Sequence, residues 1–257
     1  MIHSDEFFID KLFEPSKIDS PMSESDYHDL KIRIDCVEKI AHANNMSVYI
    51  IDYLKKAFLY VSPNPLFLCG YDREEVRKMG YKFYTKVVAP EDKDLLLEIN
   101  EKSFDFFYKQ PPEERYHLSI SFDFRVLHAN KMEIMIHHKQ TPFVLTDAGD
   151  LWLSICFVTL STRKKSGNAI FQKFDSPERW EYSLTTKKWK KTSAIKLTKR
   201  ESEIFRLSAQ GYAIKNISIF LGISESTVNF HKTNIFSKLN VTNIAEAVYY
   251  GSAISII

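Results

Sequence analysis

Between Lys196 and Ile257 the chain marks its own helix boundaries, and four short helices joined by tight turns leave few folds open. Thr198 carries the side chain of a helix N-cap, and Glu201 follows three residues later, which completes a capping box. A helix through about Ser208 is expected, with Ile204 and Leu207 turned inward and Gly211 stopping it. A second helix runs from about Ala213 to Leu221 and is broken by Gly222. Ser224 caps a third, and Glu225 favours the positive end of its dipole. Asn243 and Glu246 repeat the capping-box spacing, and Gly251 is expected to end a fourth helix. The second and third helices, joined through Gly222, make a helix-turn-helix arrangement.

The third helix carries the most chemistry. At about 100° per residue, Val228, Ile235 and Leu239 fall on one narrow stripe and should be buried. Asn229, Phe230 and Thr233 fall on the other side, with Ser226 and Ser237 also outward. An α-helix fits the major groove of DNA, where Asn can pair with adenine and a Phe or a Thr methyl can meet a thymine methyl. Asn229, Phe230 and Thr233 are therefore the candidate base readers. Ser226, Thr227, Lys232 and Lys238 are candidates for phosphate contacts, which set register without reading sequence. Phe230 has a second reading, as a side chain packed on the N-terminal domain or a partner chain. His231, at the edge of the stripe, reads as a packed structural histidine.

The stretch from Leu197 to about Gly251 resembles the LuxR-type helix-turn-helix domain. The matching pieces are Leu197-Thr-x-Arg-Glu201, Gly211-Tyr, Ile217, Leu221-Gly-Ile-Ser224, Ser226-Thr-Val228, His231, Asn234-Ile235, Lys238-Leu239, Val241 and Glu246-Ala-Val248. The resemblance implies a four-helix domain on double-stranded DNA with a palindromic operator. It also implies a homodimer formed through the last helix, with Ile244, Ala247 and Val248 near the two-fold axis. Two positions depart from the family's habit: Asn229 stands where Lys is usual, and Ile244 where Arg is usual. A missing cation on the reading face should lower non-specific affinity.

Upstream, residues from about Val37 to Ser161 read as α+β. Strand-like runs at Met46–Asp52 and Ala57–Ser62 precede helical segments around Glu74–Met79 and Glu91–Tyr108. Three further strands are expected at Tyr116–Leu127, Glu133–Thr141 and Trp152–Ser161. In the first of these, Leu118, Ile120, Phe122, Phe124 and Val126 share one face. Two strands, a helical middle and three antiparallel strands is the PAS order, and Val61-Ser-Pro-Asn64, Leu68-Cys-Gly-Tyr71 and Val88-Ala-Pro-Glu-Asp92 resemble PAS segments. That resemblance implies sensing, dimerisation or both. Either a small-molecule pocket or a filled aromatic core fits the residues, so an unidentified ligand stays open as a partner.

No nucleophile–base pair, Gly-rich phosphate loop, HExxH or GxSxG is legible, and an enzyme is not expected. No cofactor or metal is expected either. Adjacent His137 and His138 in a strand must point to opposite faces, and Cys36, Cys69 and Cys156 are too dispersed for a zinc site and read as reduced thiols. The longest apolar run, Leu151–Leu160, is too short for a membrane helix. With no secretory pattern at the N-terminus, a cytoplasmic protein is expected.

The formal net charge of +2 hides an asymmetry. Residues 161–257 carry 16 Lys and Arg against 7 Asp and Glu, while residues 1–160 carry 19 against 26. A polyanion is expected to meet the C-terminal part alone. Between the two parts, Trp180, Tyr182 and Leu184 alternate and Trp189 follows, which suggests a β-hairpin that docks one domain on the other. The expected organisation is an N-terminal extension over 1–33 and a PAS-like antiparallel sheet with helices over 34–161. A connector with a hairpin over 162–192 leads to an all-α four-helix LuxR-type domain over 193–257, so the chain is α+β overall.

Overall fold

A computed structural model describes residues 5–18, 23–174, 176–193, 195–253 and 256. The chain divides into two compact units, Met1–Thr192 and Ser193–Ile257.

The first unit opens with α1 (Asp5–Phe13) and α2 (Glu24–Ala43). Strands β1 (Ser47–Asp52) and β2 (Ala57–Val61) follow. A helical middle consists of α3 (Pro65–Leu68), α4 (Arg73–Met79), α5 (Lys82–Val87), α6 (Pro90–Tyr108) and α7 (Pro112–Arg115). Then come β3 (Leu118–Leu127), β4 (Glu133–Leu145), β5 (Leu151–Leu160), β6 (Gly167–Lys173), β7 (Glu178–Ser183) and β8 (Lys188–Ser193). They form one sheet in the order β2-β1-β5-β4-β3-β6-β7-β8. Its first five strands, with the helices inserted between β2 and β3, reproduce the PAS order.

Period-two patterning decides which faces are buried. In β3 the residues Leu118, Ile120, Phe122, Phe124 and Val126 are all in the core, as their alternation requires. Helix α6 begins at Pro90, whose fixed φ suits the first helical position. It buries Leu96, Ile99, Phe104 and Phe107 against this face. Asp92 fixes its start to β3: its carboxylate accepts from the Arg125 backbone N–H at 2.7 Å and from the guanidinium at 2.7 Å. The turn from β4 to β5 passes through Gly149 at φ +79°, a conformation only glycine adopts cheaply.

Three features of this unit differ from the sequence expectation. Residues 1–33, read as an extension, include α1, whose Phe8, Leu12 and Phe13 lie in the main core. Full burial of one such side chain stabilises by about 1.5–3 kcal/mol, so α1 belongs to the fold. The predicted helix start at Val37 moves back to Glu24, because Ser23 and Asp26 form a capping box there. The segment 162–192 adds three strands to the sheet. The hairpin β7–β8 is present, but Trp180 and Trp189 pack within the first unit. Both rings pack tilted against Phe106 of α6, and the Trp189 indole N–H donates to the Lys102 carbonyl at 3.0 Å.

The second unit consists of α8 (Lys199–Ala209), α9 (Ile214–Leu221), α10 (Glu225–Leu239) and α11 (Ile244–Ala253). Its core is Ile204, Phe205, Ile217, Val228, Ile235, Leu239, Ala247 and Tyr250. Gly251 does not end the last helix. It is buried within α11, which continues to Ala253. Among the described residues no helix is long and apolar enough to cross a membrane.

Candidate nucleic-acid interface

Local signals place each helix of the second unit. Thr198 and Glu201 form the predicted capping box: the Thr198 hydroxyl accepts from the Glu201 N–H at 3.2 Å, and the Glu201 carboxylate accepts from the Thr198 N–H at 2.7 Å. Gly222 ends α9 in the left-handed region at φ +61°. Ser224 caps α10, its hydroxyl accepting from the Thr227 N–H at 3.1 Å. Only Gly222, Ile223 and Ser224 separate α9 from α10, so the two helices are held in a fixed turn.

The stripe predicted for α10 is correct. Val228, Ile235 and Leu239 are buried to within 1% exposure, and this fixes the rotation of the helix. Asn229, Phe230 and Thr233 consequently face solvent. Phe230 is 62% exposed and meets only the His231 ring edge-on, with centroids 5.6 Å apart. The Thr233 hydroxyl donates to the Asn229 carbonyl at 3.1 Å, a bond to the backbone that does not involve the Asn229 side-chain amide. Ser226 and Thr227 sit at the N-terminal end, where their hydroxyls cluster with that of Ser224 at 2.7 and 2.8 Å. Lys232 lies beside this face. His231 is half-buried with its Nδ1 enclosed and unbonded, in keeping with a packed ring.

Two of the predicted site residues have partners within their own unit. Lys238 was expected on a phosphate, but its ammonium donates to Glu201 at 2.6 Å, and the Glu201 side chain is only 4% exposed. Burial by itself would raise the Glu201 carboxyl. The Lys238 ammonium and the two Thr198 bonds outweigh it and hold the carboxyl below its ordinary range. Lys238 is thus a strut between the end of α10 and the start of α8. Ala247 was expected at a dimer axis, but it is fully buried in the core of its own unit. Ile244 and Val248 are partly buried at the margin of the same stripe, while Ala245 and Ser252 are exposed on the outer side of α11.

One surface was not singled out from the sequence. Ile219 and Phe220 on α9 are 70% and 65% exposed, and Tyr212 packs edge-on against Phe220 at 5.3 Å. The signal was available. Ile214, Ile217 and Leu221 already form the inward stripe of α9, so the two neighbouring apolar residues have no room on it.

The interior of the first unit contains a second polar feature. His138 points inward and His137 outward, as strand geometry requires. His138 is fully buried and its pKa is lowered to about 3, chiefly by burial and then by the neighbouring His137. Its Nε2 lies 2.6 Å from the Tyr49 hydroxyl, which also bonds Tyr84. Beside this cluster are two cavities of about 40 and 30 Å³ that share Asn100, Phe122 and Gln140. Each has room for water, which needs about 10–15 Å³ of such space. A drug-sized ligand needs about 300 Å³ or more, so this aromatic cage would have to open to admit one. Cys69 and Cys156 are buried beside it with thiol pKa values pushed up to about 12 by burial, which makes them unreactive.

Residues 196–250 match the model of the family described as bacterial regulatory proteins, luxR family. Regulatory protein SdiA of Escherichia coli (strain K12) is 39% identical over 66 residues, which is 26% of this chain and 28% of that protein. The transcriptional activator protein LuxR of Aliivibrio fischeri is 46% identical over 59 residues, 23% of each chain. The chain therefore matches only about a quarter of the length of these relatives. Among solved structures, a Vibrio cholerae VqmA dimer overlaps 87% of each chain, with 13% identity and a TM-score of 0.34. That superposition is loose, and the architecture of the first unit rests on its own strand order. The four short helices of the second unit thus coincide with the segment, residues 196–250, that matches the luxR family of bacterial regulatory proteins.

Proposed function

We propose that this protein is a dimeric, sequence-specific transcriptional regulator that acts in the cytoplasm on a palindromic operator. The observation that carries the reading is the exposed face of α10, where Asn229, Phe230 and Thr233 stand together over a fully buried stripe. In the major groove Asn229 would pair with an adenine edge, and Phe230 and Thr233 would meet thymine methyls. Lys232 and the Ser226–Thr227 end of the helix would hold phosphates and set register. Two copies would pair along the outer side of α11, with Ile244 and Val248 at its margin and Ala245 and Ser252 facing out. The PAS-like unit would act as sensor, as a second dimerisation element, or as both.

Selection from a random DNA pool with the full chain tests this. A palindromic site should be enriched, and its affinity should fall steeply with salt. Asn229→Ala or Phe230→Ala should then relax base preference by about 1–3 kcal/mol at the contacted positions. A second reading is favoured by the Tyr212–Ile219–Phe220 surface: a helical unit that mainly binds protein. Failure to enrich any sequence would favour that reading and reject the first.

A further inference from the structure

The cations that the sequence assigns to the DNA-binding end are mostly elsewhere. Residues 193–257 hold seven Lys and Arg against four Asp and Glu. Of the seven, Lys238 is bound to Glu201, and Arg200 is bound to Glu203 and to the Leu221 carbonyl. Residues 162–193 hold nine Lys and Arg against three Asp and Glu, in the segment before β6 and along β6 to β8 with their turns. Residues 162–193 thus carry a net +6 against +3 for the helical unit, and this surplus lies outside the helix-turn-helix.

The surplus has a geometry. Strand β8 is the last in the sheet order, so among the described residues no strand covers its outer edge. Trp189 turns toward Phe106 and Phe171, which puts Lys188 and Lys190 on the opposite face about 6.6 Å apart. Both are exposed, and neither has an ion pair among the described residues, whereas Lys187 is paired with Glu98 and Lys191 with Glu178. Lys164 and Lys165, also exposed and without ion pairs, precede β6. The β6–β7 register brings them to the same end of the sheet as the β7–β8 turn. After β8 only residues 194–198 remain before α8 begins at Lys199. Such a segment reaches at most about 20 Å, so the lysines of β8 are covalently leashed to the helix-turn-helix.

We propose that Lys188 and Lys190, extended by Lys164 and Lys165, form a second polyanion-binding surface. It would take the DNA backbone flanking the site gripped by α10. This rests on the reading of the second unit as a DNA-binding domain. The surface adds phosphate contacts without adding base readout, and it supplies the cations that the reading face lacks at Asn229. The competing role for lysines on an edge strand is to discourage strand pairing between copies.

The test is the salt dependence of binding, using the full chain and a random-sequence 40-base-pair duplex. Lys188→Gln/Lys190→Gln should make the slope of log K against log salt shallower by about 1.8. That corresponds to about 12-fold less loss of affinity between 50 and 200 mM salt. Lys188→Arg/Lys190→Arg should keep the slope, and the melting of both variants should match the parent. An unchanged slope in the Gln variant, with or without new self-association, overturns the proposal and leaves the DNA-binding reading intact. A parent protein that binds no duplex at all rejects that reading, and this one with it.

Discussion

Glu201 closes two elements with one carboxylate. It completes the box at the start of α8 and receives Lys238 from the end of α10. Its lowered pKa contributes stability that is present above the ordinary value of 4.5 and is lost as pH falls through the depressed one. Lys238→Met keeps the aliphatic stem but leaves a nearly buried carboxylate without its cation. We expect the second unit to lose about 1–2 kcal/mol in denaturant unfolding, a figure discounted because the lysine head is partly exposed. The salt slope of DNA binding should stay unchanged. A slope reduced by about 0.9 would return Lys238 to the phosphate contacts. His138 presents the opposite case, a base kept neutral by burial. With its pKa lowered from 6.5 to about 3, protonation favours the unfolded chain, so stability should decline progressively as pH drops from 6.5 toward 3. His138→Met should flatten that part of the curve of unfolding free energy against pH. Curves that remain parallel would show that His138 does not carry the dependence.

At the scale of elements, the helices of the second unit were legible because their signals are local. Caps act over three residues, and glycine acts at one. The capping box of α8 and the Gly222 stop are found where the sequence places them. Strands β1 to β5 were legible from alternation and from turn residues such as Gly149. Strand β6 was not, because its inward residues Ala169 and Phe171 are too few to stand out in a polar stretch. Helix α1 has apolar spacing in Phe8, Leu12 and Phe13, but what makes it part of the fold is a partner far along the chain. The Asn100 amide on α6 donates to the Leu12 carbonyl at 2.8 Å. The hairpin β7–β8 was legible from its Trp and Tyr alternation, but where its tryptophans pack was not. Because both lie against α6 and β6, Trp180→Ala/Trp189→Ala should lower the melting temperature of the first unit by several degrees. A double variant that melts like the parent would contradict this packing.

Across the whole molecule, the charge asymmetry read along the chain changes meaning once the chain is folded. Of the net +9 downstream of residue 160, +6 lies in residues 161–192, ahead of β6 and along β6 to β8 with their turns, in the same unit as most of the acidic residues, and only +3 belongs to the helical unit. Sequence position predicted one polyanion-binding end, but the strand pairing spreads the cations over both units. The same contrast holds for the rest of the protein. The sequence by itself determined that residues 196–250 form four helices of the luxR type, which face of α10 is exposed, and that an antiparallel sheet precedes them. Each of these follows from periodicities and caps that act within a few residues. Only the tertiary structure decided that Lys238 is a strut, that Ala247 is core, and that α1 and residues 167–193 complete the first unit. Those outcomes depend on partners distant in sequence, such as Glu201 for Lys238 and Phe106 for Trp189, and no local pattern encodes which side chain a folded neighbour will claim.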